Sequence, residues 1–191
     1  MSNKIKMDNI LRDLIMKPLS DEELIGLVDH KARLVTHDQI GSFRDIDHLL
    51  GPDGACIILY VLRIMDDGSD SLNGHWCCLF KSEWEDDCIS YFDSYGNRPD
   101  DPLKYISPEA KARFGDKPVL SRMLKDDGRM VVYNNAKLQH KDEGINVCGR
   151  MCALRLNMRD IDGYEFADIM TTFDKKGLPS DALSSILTCW A

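Results

Sequence analysis

The segment ACIILYVLRIM at positions 55–65 constrains the fold of this chain more than any other part of it. Every residue except Arg63 is apolar, several are β-branched, and the turn sequence LGPDG precedes the run at 50–54. A short continuous apolar run bounded by a turn is typical of a strand that is buried on both faces. The sequence therefore predicts a central strand over 55–65, against which the other elements pack.

Three further segments have the composition of strands. HWCCLF (75–80) and CISYFDS (88–94) are joined by the acidic segment KSEWEDD, which predicts a hairpin, and RMVVYNN (129–135) predicts a short strand. The two arms of a hairpin are antiparallel neighbours, so the start of its first strand lies beside the end of its second.

Helical patterns stand on both sides of the strands. Residues 4–16 have apolar residues near helical spacing, and Ser20 followed by Glu23 is a capping box for a second helix. Residues 36–50 are expected to be irregular, and helices are predicted around 102–114, over 148–159, near 166–173 and from Ser180. This order predicts an α+β fold with a central mixed sheet and helices packed on it.

Length and composition limit the classes of function. The 191 residues are expected to form one domain, with a helical N-terminal region at 1–50, a core at 55–157 and C-terminal helices at 158–191. The formal charge of −8 argues against nucleic acid as a partner, because such binding depends on lysine and arginine at phosphates. No apolar run suggests a membrane span or a signal peptide, which predicts an intracellular, reducing compartment. The seven cysteines are then expected to be thiols, and no CxxC pair suggests a structural zinc site.

Several polar residues stand where predicted strands and helices begin or end. His75 opens the first strand of the hairpin and Asp93 closes the second, so the two are expected to meet, and the carboxylate then stabilises a protonated imidazole. Cys148 begins a predicted helix, where free N–H groups and the helix dipole favour a thiolate, and Gly149 leaves room for a substrate backbone. Gln139 carries a neutral amide that can donate to an oxyanion, together with the backbone N–H of Cys148.

Each of these residues alone also has an ordinary structural explanation. A single histidine at a strand start is commonly a surface or satisfied core residue, and Asp93 suits a turn. Gln139 fits a polar loop, and Cys148 fits the role of a small buried apolar side chain. Their combination in one order, each near the end of an element, favours a shared site.

The motifs GHW (74–76), YFDSYG (91–96) and LQ…CGRMC (138–152) resemble those of a known enzyme group. It is the adenovirus-protease and SUMO-protease group of papain-like cysteine peptidases, in which His, Asp or Glu, Gln and Cys follow in this order. The resemblance covers roughly residues 55–157. With Pro99 after YFDSYGNR and Tyr133-Asn134 before Gln139, the finer pattern is most similar to capsid-maturation proteases of adenoviruses, virophages and related large-DNA-virus or Maverick-type elements.

The resemblance implies a papain-like fold of the adenovirus-protease type, with the nucleophile at a helix N-terminus. It also implies roles for the residues of the site: His75 as general base, Asp93 as its orienting partner, Gln139 as oxyanion donor and Cys148 as nucleophile. Trp76 would pack beside the histidine and help to form the wall of the substrate groove. The implied activity is that of a thiol endopeptidase, a monomer without cofactor or metal that cuts capsid or other structural precursors. The alternatives are a protease that removes SUMO- or ubiquitin-like modifiers, an acetyltransferase effector and a non-catalytic binding module.

The stretch LQHKDEGINVCGRMC has a long spacer before Cys148 and a second cysteine after it. The gap between Gln139 and Cys148 is longer than is usual in the group, so residues 140–147 are expected to bulge. Cys152 lies one helical turn after Cys148 on the same helix face. A buried packing role is favoured for Cys152, ahead of a resolving thiol or a metal ligand.

Overall fold

A five-stranded mixed sheet lies at the centre of the protein, seen in a computed structural model that describes residues 2–65 and 72–189. The strands follow chain order across the sheet: β1 (Arg33–Thr36), β2 (Ala55–Ile64), β3 (Leu72–Lys81), β4 (Cys88–Asp93) and β5 (Met130–Tyr133). Strand β3 is antiparallel to both β2 and β4, and the outer strands β1 and β5 run parallel to their neighbours. The predicted α+β class with a mixed sheet is confirmed.

Strand β2 is the central strand that its apolar run predicts. The seven residues from Ala55 to Val61 are all buried, and the register against β3 shifts between Val61 and Arg63. Beyond this shift, Arg63 pairs with Asn73 and so extends β3 toward the loop. The prediction that His75 opens its strand is therefore wrong, because β3 begins at Leu72.

Helices cover both faces of the sheet. One face packs against α2 (Asp21–Gly26), α6 (Cys148–Asn157), α7 (Gly163–Lys175) and α8 (Ser180–Leu187). The other face packs against α3 (Ile46–Leu50) and α5 (Val119–Asp127). Helix α1 (Ser2–Met16) contacts α8, and α4 (Pro108–Phe114) contacts β2. Within the described residues, no helix has the length and apolar character needed to cross a membrane.

Polar caps decide where several of these helices begin. Ser20 caps α2 as predicted, accepting a hydrogen bond from the N–H of Glu23 while the Glu23 carboxylate accepts one from the N–H of Ser20. The predicted helix over 102–114 divides into a 3-10 turn (Asp101–Tyr105) and α4, because Ser107 is the residue before Pro108 and is extended. Residues 36–50 are not irregular, since they form a 3-10 turn (His37–Ser42) and α3, which Asp45 caps.

Candidate active site

The hairpin β3–β4 brings His75 and Asp93 together at one end of the sheet. Cys77 is the register partner of Asp93, and His75 lies two residues before Cys77 in β3, on the same face of the strand. Nε2 of His75 is 3.1 Å from Oδ2 of Asp93, and both side chains are buried. The contact has the distance of an ion pair, although its angle is poor for a hydrogen bond. The ring of Tyr95 stacks on the imidazole, with centroids 4.9 Å apart.

The carboxylate of Asp93 is held by three further donors. Oδ1 accepts a hydrogen bond of 2.7 Å from the N–H of Tyr95, while Asn97 Nδ2 lies 3.3 Å and Cys77 Sγ 3.4 Å from Oδ2. Burial favours the protonated acid, but the contact with His75 and these donors outweigh it and lower the pKa of Asp93. Asp93 is thus a fixed anion beside the imidazole.

Cys148 is the first residue of α6, and its side chain is partly exposed. Val147 at the N-cap offers no capping side chain, so the first N–H groups of the helix stay available. Burial opposes the thiolate, yet hydrogen bonding and charge from His75, with the backbone N–H groups of Trp76 and Gly149, lower the pKa of Cys148 below 9.0.

The imidazole of His75 shows the opposite shift. Burial disfavours the charged ring, but its interactions with the thiol of Cys77, the carboxylate of Asp93 and the sulfur of Cys148 raise the His75 pKa well above 6.5. A lowered thiol pKa and a raised imidazole pKa together favour a Cys148 thiolate paired with a His75 imidazolium over the neutral thiol and imidazole.

Gln139 lies in the loop before α6 with its amide in a fixed orientation. Its Oε1 accepts a hydrogen bond of 2.7 Å from the hydroxyl of Ser94, a fully buried residue, so Nε2 points the other way. Nε2 is 3.4 Å from the carbonyl oxygen of Ile145. An amide nitrogen carries two N–H groups, so one of them remains for a ligand.

The long spacer between Gln139 and Cys148 is folded against the N-terminal helix. Gly144 has a positive φ of 88°, which a turn at this position requires. Asn146 then binds the end of α1 twice: its N–H donates to the Ile15 carbonyl at 2.9 Å, and its Nδ2 donates to the Met16 carbonyl at 2.7 Å. The predicted bulge is thus a turn that α1 holds in place.

Two cavities meet at this cluster. A groove of about 780 Å³ runs past Gly74, Trp76, Cys148 and Gly149, and it has apolar walls at Leu19, Leu34 and Leu59 and acidic groups at Asp21 and Glu22. A second cavity, of about 520 Å³, lies against His75 and is lined by Arg63, Tyr95, Tyr105 and Lys141. Trp76 and Gly149, the two residues predicted to bind substrate, both line this groove.

Cys152 is fully buried one turn further along α6. Its Sγ lies 3.4 Å from the carbonyl oxygen of Trp76, and burial raises its pKa well above 9.0. Cys152 thus lies in the core, as the favoured packing role predicts. Sequence reasoning missed Cys77 and Ser94 as neighbours of the cluster. The sequence offers only position as a clue to them, because Cys77 lies two residues after His75 and Ser94 directly follows Asp93.

Comparison with known proteins points to viruses. The chain is 36% identical over 174 residues to "Uncharacterized protein V9" of Sputnik virophage, which covers 89% of this chain and 93% of that protein. No family model matches the chain. No solved structure matches it either.

Proposed function

The chain belongs to the same family as protein V9 of Sputnik virophage, and we propose that it is a cysteine endopeptidase with Cys148 as nucleophile. The observation that carries the proposal is the partly exposed thiol at the start of α6, whose pKa is lowered by the imidazole of His75, a ring that itself contacts a buried carboxylate. A nucleophile, its base and an orienting acid in contact are the parts that acyl transfer through a thiol requires.

In the proposed reaction, the Cys148 thiolate attacks the carbonyl carbon of the scissile bond and forms a tetrahedral intermediate. Gln139 Nε2 and the N–H of Cys148 donate to its oxyanion. The His75 imidazolium gives its proton to the leaving amine as the C–N bond breaks, which leaves an acyl-enzyme. A water then gives a proton to His75 and its oxygen to the acyl carbon. Loss of the carboxylate product restores the thiolate and the imidazolium.

The cavities give the substrate a direction. Because His75 protonates the leaving amine, the new N-terminus belongs in the cavity beside His75, and the acyl part belongs in the groove beside Trp76 and Gly149. A groove of this volume with apolar walls accepts an extended peptide. We propose a protein substrate, and favour a capsid or other structural precursor because the relative is a virophage protein.

A cleavage assay tests the activity. A peptide library is incubated with the protein, with Cys148→Ala and with Cys189→Ala, a control that removes the other partly exposed thiol. We expect cleavage by the protein and by Cys189→Ala, and none by Cys148→Ala. Cleavage by folded Cys148→Ala at the same rate would end the proposal. A ubiquitin-like probe with a reactive C-terminal Gly-Gly that labels Cys148 would instead indicate removal of such modifiers.

A further inference from the structure

Cys77 is a buried thiol at the cluster that the proposed reaction does not use. It lies on β3 two residues after His75 and is fully buried, with Sγ 3.4 Å from Oδ2 of Asp93. Nε2 of His75 approaches the same oxygen at 3.1 Å and makes no well-aligned hydrogen bond. The three ligand atoms all lie within 4.8 Å of one another.

We propose that His75, Cys77 and Asp93 bind a Zn²⁺ ion that holds the enzyme inactive. Zinc lies about 2.0–2.2 Å from nitrogen and oxygen ligands and about 2.3 Å from sulfur. At tetrahedral angles these lengths separate N from O by about 3.3 Å and S from O by about 3.5 Å. The observed 3.1 and 3.4 Å therefore differ from the separations around zinc by only a few tenths of an ångström.

The donor set and the charge balance both suit zinc. Imidazole, thiolate and carboxylate are all zinc ligands, and three protein ligands leave one position for water. In the complex, the Cys77 thiolate and the Asp93 carboxylate carry two negative charges, which balance the two positive charges of Zn²⁺. Burial of the bound ion thus adds no net charge to the sheet.

Zinc on Nε2 changes what His75 can do for Cys148. The zinc-bound ring is neutral and keeps its one proton on Nδ1. This N–H group is a much weaker acid than the imidazolium. It then cannot protonate the leaving amine. The ion can reach the site through the cavity that His75 lines. The inhibition rests on the proposed function, whereas the binding of zinc does not.

Cobalt(II) tests the site directly, because its coordination by a thiolate gives a ligand-to-metal charge-transfer band. The metal is added to folded Cys148→Ala, Cys77→Ser and Cys78→Ser, where Cys78 is an equally buried cysteine on the opposite face of β3. We expect the band in Cys148→Ala and Cys78→Ser and its loss in Cys77→Ser. A band that persists in Cys77→Ser and disappears in Cys148→Ala would overturn the assignment, as would no binding.

Isothermal titration with zinc then measures the affinity of each folded variant. If Cys77→Ser does not fold, Asp93→Asn takes its place. Loss of even an outer-shell partner costs about 10–100-fold in metal affinity, so this variant should bind zinc at least about tenfold more weakly. Equal affinity would overturn the site. Because Cys148→Ala has no nucleophile, these results stand apart from any failure of the proposed protease activity.

Discussion

The hydroxyl of Ser94 is predicted to control catalysis through the orientation of the Gln139 amide. Ser94→Ala removes the hydrogen bond of 2.7 Å to Oε1. It keeps the backbone contacts, in which the Ser94 carbonyl accepts from the N–H groups of Leu138 at 2.8 Å and Gln139 at 3.0 Å. The loop therefore stays in place, while the side-chain amide loses the group that decides which of its ends faces the oxyanion.

The expected magnitude follows from two costs. In Ser94→Ala, Oε1 of Gln139 would face a fully buried position without a hydrogen-bond donor, which costs about 1–3 kcal/mol. The side-chain amide avoids this cost when it turns Oε1 away, and Nε2 then no longer faces the oxyanion. At 1.36 kcal/mol per tenfold, that corresponds to roughly 5- to 150-fold in the population of the productive orientation. Complete loss of one oxyanion donor costs about 10²–10³-fold in kcat, and this is the upper limit for the loss of kcat in Ser94→Ala.

Steady-state kinetics on a cleaved peptide measure the effect. We expect Ser94→Ala to lower kcat roughly 10- to 100-fold with little change in KM, because the donor acts mainly in the transition state. Gln139→Ala defines the limit, and the double variant should be no slower than Gln139→Ala alone. An unchanged kcat in folded Ser94→Ala, or additive losses in the double variant, would refute the positioning role.

Two further substitutions test the charge pair and the groove. In Asp93→Asn the imidazolium loses its carboxylate, so the His75 pKa falls and the Cys148 pKa rises. The pH–rate profile should therefore narrow on both its acidic and its basic limb. An unchanged profile would remove Asp93 from the site. In Gly149→Ala a Cβ would lie 3.3 Å from Cδ1 of Trp76 and narrow the groove, so kcat/KM should fall several-fold, whereas the matched Gly163→Ala has open space and should cleave normally.

The parts of the fold that local pattern decides were predictable from the sequence. The apolar run makes β2 a central strand, and the hairpin places His75 near Asp93, because antiparallel neighbours share an end. The capping box at Ser20 likewise marks the start of α2. In each case, residues close in the sequence carry the information.

The elements that were missed depend on distant contacts. Strand β1 has only four residues, too few to give a clear strand pattern in the sequence, and its pairing with β2 stabilises it. Helix α3 has five residues, too few to show a helical period, and α5 has Pro118 at its N-cap, which offers no side-chain cap. Both pack against the second face of the sheet, which stabilises them.

The same limit applies to the candidate site. Gln139 was singled out, but the partner that orients its amide, Ser94, is 45 residues away in the sequence. Cys77 and Cys78 are adjacent and chemically identical in sequence, and only the strand register places one of them against Asp93. Contacts across the sheet therefore complete a cluster whose main residues the sequence already indicates.

The central claim, an activated thiolate at Cys148, is tested most directly by iodoacetamide alkylation of the native protein across pH, with peptide mapping of all seven cysteines. Cys189 is the matched comparison, because it is also partly exposed. We predict a single fast thiol at Cys148, with an apparent pKa lower than that of Cys189 in the same protein and higher in Asp93→Asn than in the unsubstituted protein. Alkylation of Cys148 no faster than that of Cys189 at every pH would contradict the account.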